Sequence, residues 1–180
     1  SVSAIDMALW DMYAKRVNQP LYQVLGGLSR DRIRVYNTCA GYSYGVKVKG
    51  SWKAGQIDYR PDQPYEDYHG FMTDAGELAD DLMSEGFTAM KIWPFDKYSN
   101  DNNGQFISSQ ELEEGTEPFR KIREKIGNKM DVMVEMHSVW NLSSAKRIAK
   151  SVEPTDPFWF EDPVPMDNID ALAEFRQSTH

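Results

Sequence analysis

Four residues combine a chemically active side chain with a place at the end of a short apolar run: Lys91, Glu135, His137 and Glu161. Glu135 and His137 close Asp131-Val-Met-Val-Glu-Met-His137, and Glu161 lies in Phe158-Trp-Phe-Glu-Asp-Pro163. Both stretches read as short buried strands, in which successive side chains alternate faces. Asp131, Met133, Glu135 and His137 then share one face, and Val132, Val134 and Met136 the other. In the second stretch Trp159 goes with Glu161, and Phe158 with Phe160. If the apolar faces pack under helices, the charged residues point into whatever the sheet encloses. A carboxylate placed there is costly unless it is paired or holds a metal.

Adjacent strands lie about 4.8 Å apart, so two glutamates at neighbouring strand ends can approach one point. They repel each other unless a cation or a proton sits between them. An oxygen-only site suits Mg²⁺, which keeps several waters or substrate oxygens in its octahedron. The plainer alternative is that each glutamate emerges into solvent. His137, two residues past Glu135, brings an imidazole able to exchange a proton near neutral pH. Lys91 faces inward from the preceding strand, where an ammonium needs a carboxylate partner. It could bind a substrate carboxylate, act as a base with a lowered pKa, or form a structural ion pair with Glu135. Trp93 shares its face and shapes the pocket. Asn37 and Cys39 are candidates for pocket lining, and Asp162 for capping the turn before Pro163.

The elements that must hold these residues follow from periodicity. Residues 3–17 have amphipathic helical spacing with Ser3 as N-cap, and 21–25 make a further turn or two before Gly26-Gly27. Residues 32–40 read as a first strand with Ile33, Val35 and Asn37 on one face. Gly41 to Tyr65 is a long irregular connection with Trp52, Lys47, Lys49 and Lys53, of a length typical of lids or mobile segments. A helix over 68–83, a strand over 87–93, and a helix opened by a Ser108/Glu111 capping box and kinked at Pro118 come next. A third strand (130–137), a helix from an Asn141 cap, a fourth strand (158–161) and a helix from 167 or 168 complete the chain. This is a helix followed by four βα units, which fits half of a (β/α)₈ barrel with its site at the strand C-termini. A flavodoxin-like open sheet is the structural rival. No glycine-rich phosphate turn follows any strand, so a dinucleotide site has no motif.

Composition narrows the partners. At 180 residues with 41% apolar content the chain can bury a real core, and its net charge of −8 disfavours nucleic acid or anionic membrane as partner. A single cysteine, Cys39, excludes an internal disulfide and fits a reducing, cytoplasmic setting. No spanning apolar run is present.

With these residues in place, the chain resembles the enolase superfamily, in its mandelate racemase/muconate lactonizing branch. Ser3-Ala-Ile-Asp-Met-Ala-Leu-Trp-Asp11 with Pro20-Leu-Tyr-Gln-Val-Leu-Gly-Gly27 resembles the helix leading into that family's barrel. Met90-Lys-Ile-Trp93 resembles its second-strand lysine motif, and Val134-Glu-Met-His137 and Phe160-Glu-Asp-Pro163 resemble the strand ends that supply two metal carboxylates. The resemblance implies an α/β fold: a partial TIM-like (β/α)₇β barrel comprising its first four βα units, with a capping domain before residue 1 and the rest of the barrel after residue 180. Residues 1–30 would be linker helices and 31–180 the N-terminal half of the barrel domain. It implies Mg²⁺ held by Glu135 and Glu161, and removal of the proton α to a carboxylate through an enediolate that the ion stabilises. His137 matches the position where acid-sugar dehydratases carry the acid that protonates the departing β-hydroxyl.

Two departures refine this expectation. Racemase-like members carry Lys-x-Lys where this chain has Lys91-Ile-Trp93, so Lys91 is assigned to the substrate carboxylate and the base to a later strand. Glu135 stands where many members have Asp. The resemblance thus implies part of a Mg²⁺-dependent aldonate or aldarate dehydratase, homo-oligomeric at full length, whose isolated piece folds poorly and is inactive. Competing readings are a racemase or epimerase on the same scaffold and a non-catalytic carbohydrate-binding domain using Trp52, Trp93, Trp140 and the tyrosine-rich loop.

Overall fold

A computed structural model describes residues 2–41 and 66–179, so the connection containing Trp52 and Lys47, Lys49 and Lys53 lies outside the described residues. The chain divides into two compact units, Ser1–Arg34 and Val35–His180. In the first, α1 spans Val2–Arg16 and α2 spans Leu21–Val24. Because α1 begins at Val2, Ser3 lies within its first turn and is not its cap. Apolar side chains also surround α1 instead of forming one stripe: Ile5, Met7, Leu9 and Met12 are all exposed, and only Ala14 is buried.

The second unit contains α3 (Asp67–Ser84), β1 (Ala89–Ile92), α4 (Ser109–Ile126), β2 (Asp131–Glu135), α5 (Leu142–Val152), β3 (Phe160–Glu161) and α6 (Ile169–Gln177). The three strands form a parallel sheet in the order β1-β2-β3. The segment expected as a first strand contributes a single parallel bridge, Asn37 to Met90. Asn37 N–H donates to the Ala89 carbonyl (3.0 Å) and Lys91 N–H donates to the Asn37 carbonyl (2.8 Å). Each segment thus lies beside its successor, without the reversal of strand order that a flavodoxin-like sheet requires.

Local signals set the helix ends. Ser108 accepts from Glu111 N–H (3.2 Å) while Glu111 accepts from Ser108 N–H (2.6 Å), closing the capping box of α4. Asn141 and Asn168 cap α5 and α6 in the same sense. Pro118 does not end α4, which runs on as one helix through that residue to Ile126. The break falls in α3 at Asp74 (φ −140°), whose carboxylate accepts from Glu77 N–H (3.3 Å) and so caps the second half of the helix from within.

Alternation divides the sheet cleanly. Met90, Ile92, Val132, Val134 and Met136 join Phe71, Leu78, Phe119, Ile122, Ile148 and Val152 in the apolar core beneath the helices. Ala89, Lys91, Met133 and Glu135 are also buried but occupy the opposite face. Beyond the strands, the loop after β1 is tied to the loop after β2 where Asn141 N–H donates to the Gly104 carbonyl (3.0 Å). That approach needs a glycine: Gly104 has φ +69°, and a Cβ there would collide with the Val139 carbonyl. Gly127, at φ +61° beyond α4, has open space around it. Gly127→Ala should therefore cost about 1–3 kcal/mol, for its backbone conformation (φ +61°, ψ −140°) alone. Gly104→Ala should cost about 3 kcal/mol or more, because overpacking adds to the strain. Urea unfolding of the two variants would check this order.

Candidate active site

Glu135 and Glu161 are directly paired across β2 and β3. Their carboxylates turn to the same side and meet at one positive centre, the Lys91 ammonium. Nζ lies 2.8 Å from Glu135 Oε2 and 2.7 Å from Glu161 Oε1. The Lys91 and Glu135 side chains are each about 6% exposed, so this pair is nearly dry. The other oxygen of Glu135 accepts from the backbone N–H groups of Met136 (3.1 Å) and His137 (2.9 Å), which fixes the carboxylate's orientation.

Charge compensation decides the protonation states. Burial disfavours the Lys91 ammonium, but hydrogen bonds to both glutamates outweigh it and hold the group charged, with a raised pKa. Burial likewise works against ionised Glu161, yet the lysine keeps its carboxyl below the ordinary value of 4.5. Lys91 is thus a paired cation in this structure.

The segment before β1 supplies a residue that alternation did not single out. Tyr36 places its hydroxyl 3.4 Å from Lys91 Nζ and its ring 5.3 Å from the same atom. It also packs edge-on against Trp159, at 5.5 Å between ring centroids. Asn37 instead turns its carboxamide oxygen to the Cys39 N–H (2.7 Å), and Cys39 is sealed in the core with a thiol that burial pushes up. From this segment Tyr36, and not Asn37 or Cys39, reaches the charged cluster.

His137 and Trp93 depart from the strict strand pattern because the strands end before them. Trp93, 3% exposed, lies in the core against Tyr68 and Phe71 and packs edge-on to the His137 ring at 5.6 Å. It can orient the imidazole and offers little surface of its own to a ligand. His137 and Ser138 adopt left-handed backbone (φ +46° and +57°), as does Asp162 (φ +46°) beyond β3. Asp162 ties the two exits together through its carbonyl, which accepts from Ser138 N–H (2.7 Å). Such conformations cost roughly 1–3 kcal/mol each in non-glycine residues and concentrate at functional sites.

His137 Nδ1 lies 2.5 Å from Asp96 Oδ2. Asp96 opens a short 3₁₀ turn after β1 and is wholly buried. Burial pushes its carboxyl up to about 6, with His137 pulling the other way. Burial lowers the His137 pKa, but the hydrogen bond to Asp96 prevails and raises it. The Trp-Pro-Phe run before Asp96 was the available signal: a carboxylate directly behind three residues that end a strand and enter the core. Among the described residues no cluster of three or more metal-ligating side chains forms. Glu135 and Glu161 are the two carboxylates there whose oxygens could hold a cation.

Comparison with known proteins gives the chain a family. Residues 74–180 match the enolase C-terminal domain-like family, and residues 1–26 match the N-terminal domain of mandelate racemase/muconate lactonizing enzymes. The chain belongs to the enolase superfamily. Within this mandelate racemase/muconate lactonizing branch it is 31% identical over 179 residues to a D-gluconate dehydratase of Thermoproteus tenax, covering 99% of this chain and 30% of that protein. It is 30% identical to a D-galactonate dehydratase family member of Chromohalobacter salexigens, covering 99% and 42%. Among solved structures, an enolase protein from Sargasso Sea environmental sequence superimposes with TM-score 0.78 at 39% identity, covering 98% of this chain and 40% of that one. An enolase of the mandelate racemase subgroup from Agrobacterium tumefaciens gives 0.76 at 41%, covering 98% and 39%. The chain spans less than half the length of these superfamily members. No helix among the described residues is long and apolar enough to cross a membrane.

Replacing Lys91 by Met leaves two facing carboxylates without their cation. Breaking a buried pair in this way should destabilise the metal-free protein by about 3–5 kcal/mol. Chemical denaturation in EDTA would check it, and the deficit should shrink in Lys91→Met/Glu161→Gln, where the repulsion is relieved.

Proposed function

We propose that this chain forms part of a Mg²⁺-dependent acid-sugar dehydratase and carries two of its metal carboxylates, its substrate-carboxylate lysine and its proton donor. The observation that supports this most directly is the convergence of Glu135 and Glu161 on one cationic centre at 2.7–2.8 Å. Two ionised oxygen donors in register fit a hard divalent ion, and the ammonium between them stands in for its charge. When bound, Mg²⁺ supplies Lewis-acid stabilisation of the negative charge that builds on the substrate carboxylate as the α-proton leaves.

The chain's own residues do the rest. Lys91 pairs with the substrate carboxylate, while Tyr36 and Trp159 flank it. A base takes the α-proton, its electron pair forms the new carbon–carbon double bond, and the β carbon–oxygen bond breaks. His137 gives its proton to the departing hydroxyl, which leaves as water, and the resulting enol tautomerises to a 2-keto-3-deoxy acid. Trp93 stands where a second-strand base would be, so the base is assigned to a later strand of a longer enzyme. That assignment fits a partial barrel. Beside β3 lies an open groove of about 630 Å³ lined by Phe158, Trp159, Phe160, Leu172 and Phe175, an apolar surface suited to the next βα unit.

The test is turnover of aldonates by the intact enzyme in D₂O. A 2-keto-3-deoxy product, lost with EDTA and restored by Mg²⁺, is the expected outcome. Deuterium at the α-carbon of recovered substrate, without any keto acid, would instead make the enzyme a racemase or epimerase.

A further inference from the structure

We propose that Asp96 is the positioning residue of this site: it holds His137 in the tautomer with its proton on Nδ1 and so assigns proton exchange to Nε2. This deepens the reading of His137 as proton donor and rests on it. The geometry comes from three elements. The 3₁₀ turn after β1 brings Asp96 Oδ2 to 2.5 Å from Nδ1. Trp93 sets the plane of the ring from the side, at 88° between ring planes. The left-handed backbone at His137 lets its N–H reach Glu135 Oε1 (2.9 Å) while the imidazole turns to Asp96.

What sets Asp96 apart from a solvated strand-end acid is its cost. It is 0% exposed, and its second oxygen, Oδ1, is buried without a hydrogen-bond partner among the described residues. A buried carboxylate with one unsatisfied oxygen weakens a fold unless it serves something else. Here its single strong bond goes to the imidazole, and such a bond to one ring nitrogen determines which nitrogen carries the proton. The loop bearing Asp96 is in turn clamped to the loop after β2 by the Gly104–Asn141 hydrogen bond and by Asn141 Nδ2, which donates to the Gln105 carbonyl (3.0 Å). Asp96 and His137 are therefore held from both sides.

The experiment is ¹⁵N NMR of the His137 ring in the intact enzyme, under conditions where the ring is neutral, combined with kinetics of Asp96→Asn, His137→Gln and the double variant. In the wild type the proton should be on Nδ1. In Asp96→Asn the tautomer should shift towards Nε2–H, kcat should fall about 10²–10⁴-fold, the range for a general acid, and KM should change little. Asp96→Asn in the His137→Gln background should lower kcat no further, since Asp96 acts only through the ring. Wild-type His137 protonated on Nε2 overturns the proposal whether or not the variant folds. So does an Asp96→Asn loss that is undiminished in the His137→Gln background. Unaltered kcat in His137→Gln alone would remove the proton-donor reading, while the tautomer measurement would still decide whether Asp96 positions the ring.

Discussion

The site depends on one electrostatic constraint: two carboxylates that meet at adjacent strand ends, one of them buried, repel each other unless a cation sits between them. In this structure the Lys91 ammonium is that cation, within 2.8 Å of both. Parallel pairing makes the arrangement obligatory, because Glu135 and Glu161 are direct partners and Lys91 lies on the neighbouring strand on the same face. A sheet slipped by one residue would turn one glutamate into the apolar core. The core packing that fixes register therefore also fixes the charge cluster.

Strand alternation governs the site only while the strands last. Through Ile92 and Glu135 it separates core from pocket without exception. Past those residues the chain leaves the pattern: Trp93 enters the core, and His137, Ser138 and Asp162 take left-handed conformations. These exits bring a second acid, Asp96, against the imidazole and join the two loops through the carbonyls of Gly104 and Asp162. Rigid strands set the carboxylates, and strained exits set the imidazole.

Much of this was legible in the sequence, and what was not has identifiable causes. The helices from α3 onward, their caps and the shared face of Lys91, Glu135 and Glu161 follow from periodicity and capping chemistry, which are local. Tyr36 escaped because its segment forms one bridge instead of a strand, and an Asn37 side chain bonded to Cys39 N–H removes the alternation that strand reading assumes. Asp96 escaped because its role lies in a partner 41 residues away. The break in α3 at Asp74 escaped as well, because it comes from a cap written in that residue's own side chain. The misses share a cause: each depends on where a loop or turn goes after regular structure ends.

The most direct test of the account is a crystal structure of the intact enzyme grown with Mn²⁺, read by anomalous scattering. The account predicts an anomalous peak at the carboxylates of Glu135 and Glu161, with the Lys91 ammonium no longer seated between them. A peak elsewhere, or no peak with the ammonium still seated between the two carboxylates, would contradict it.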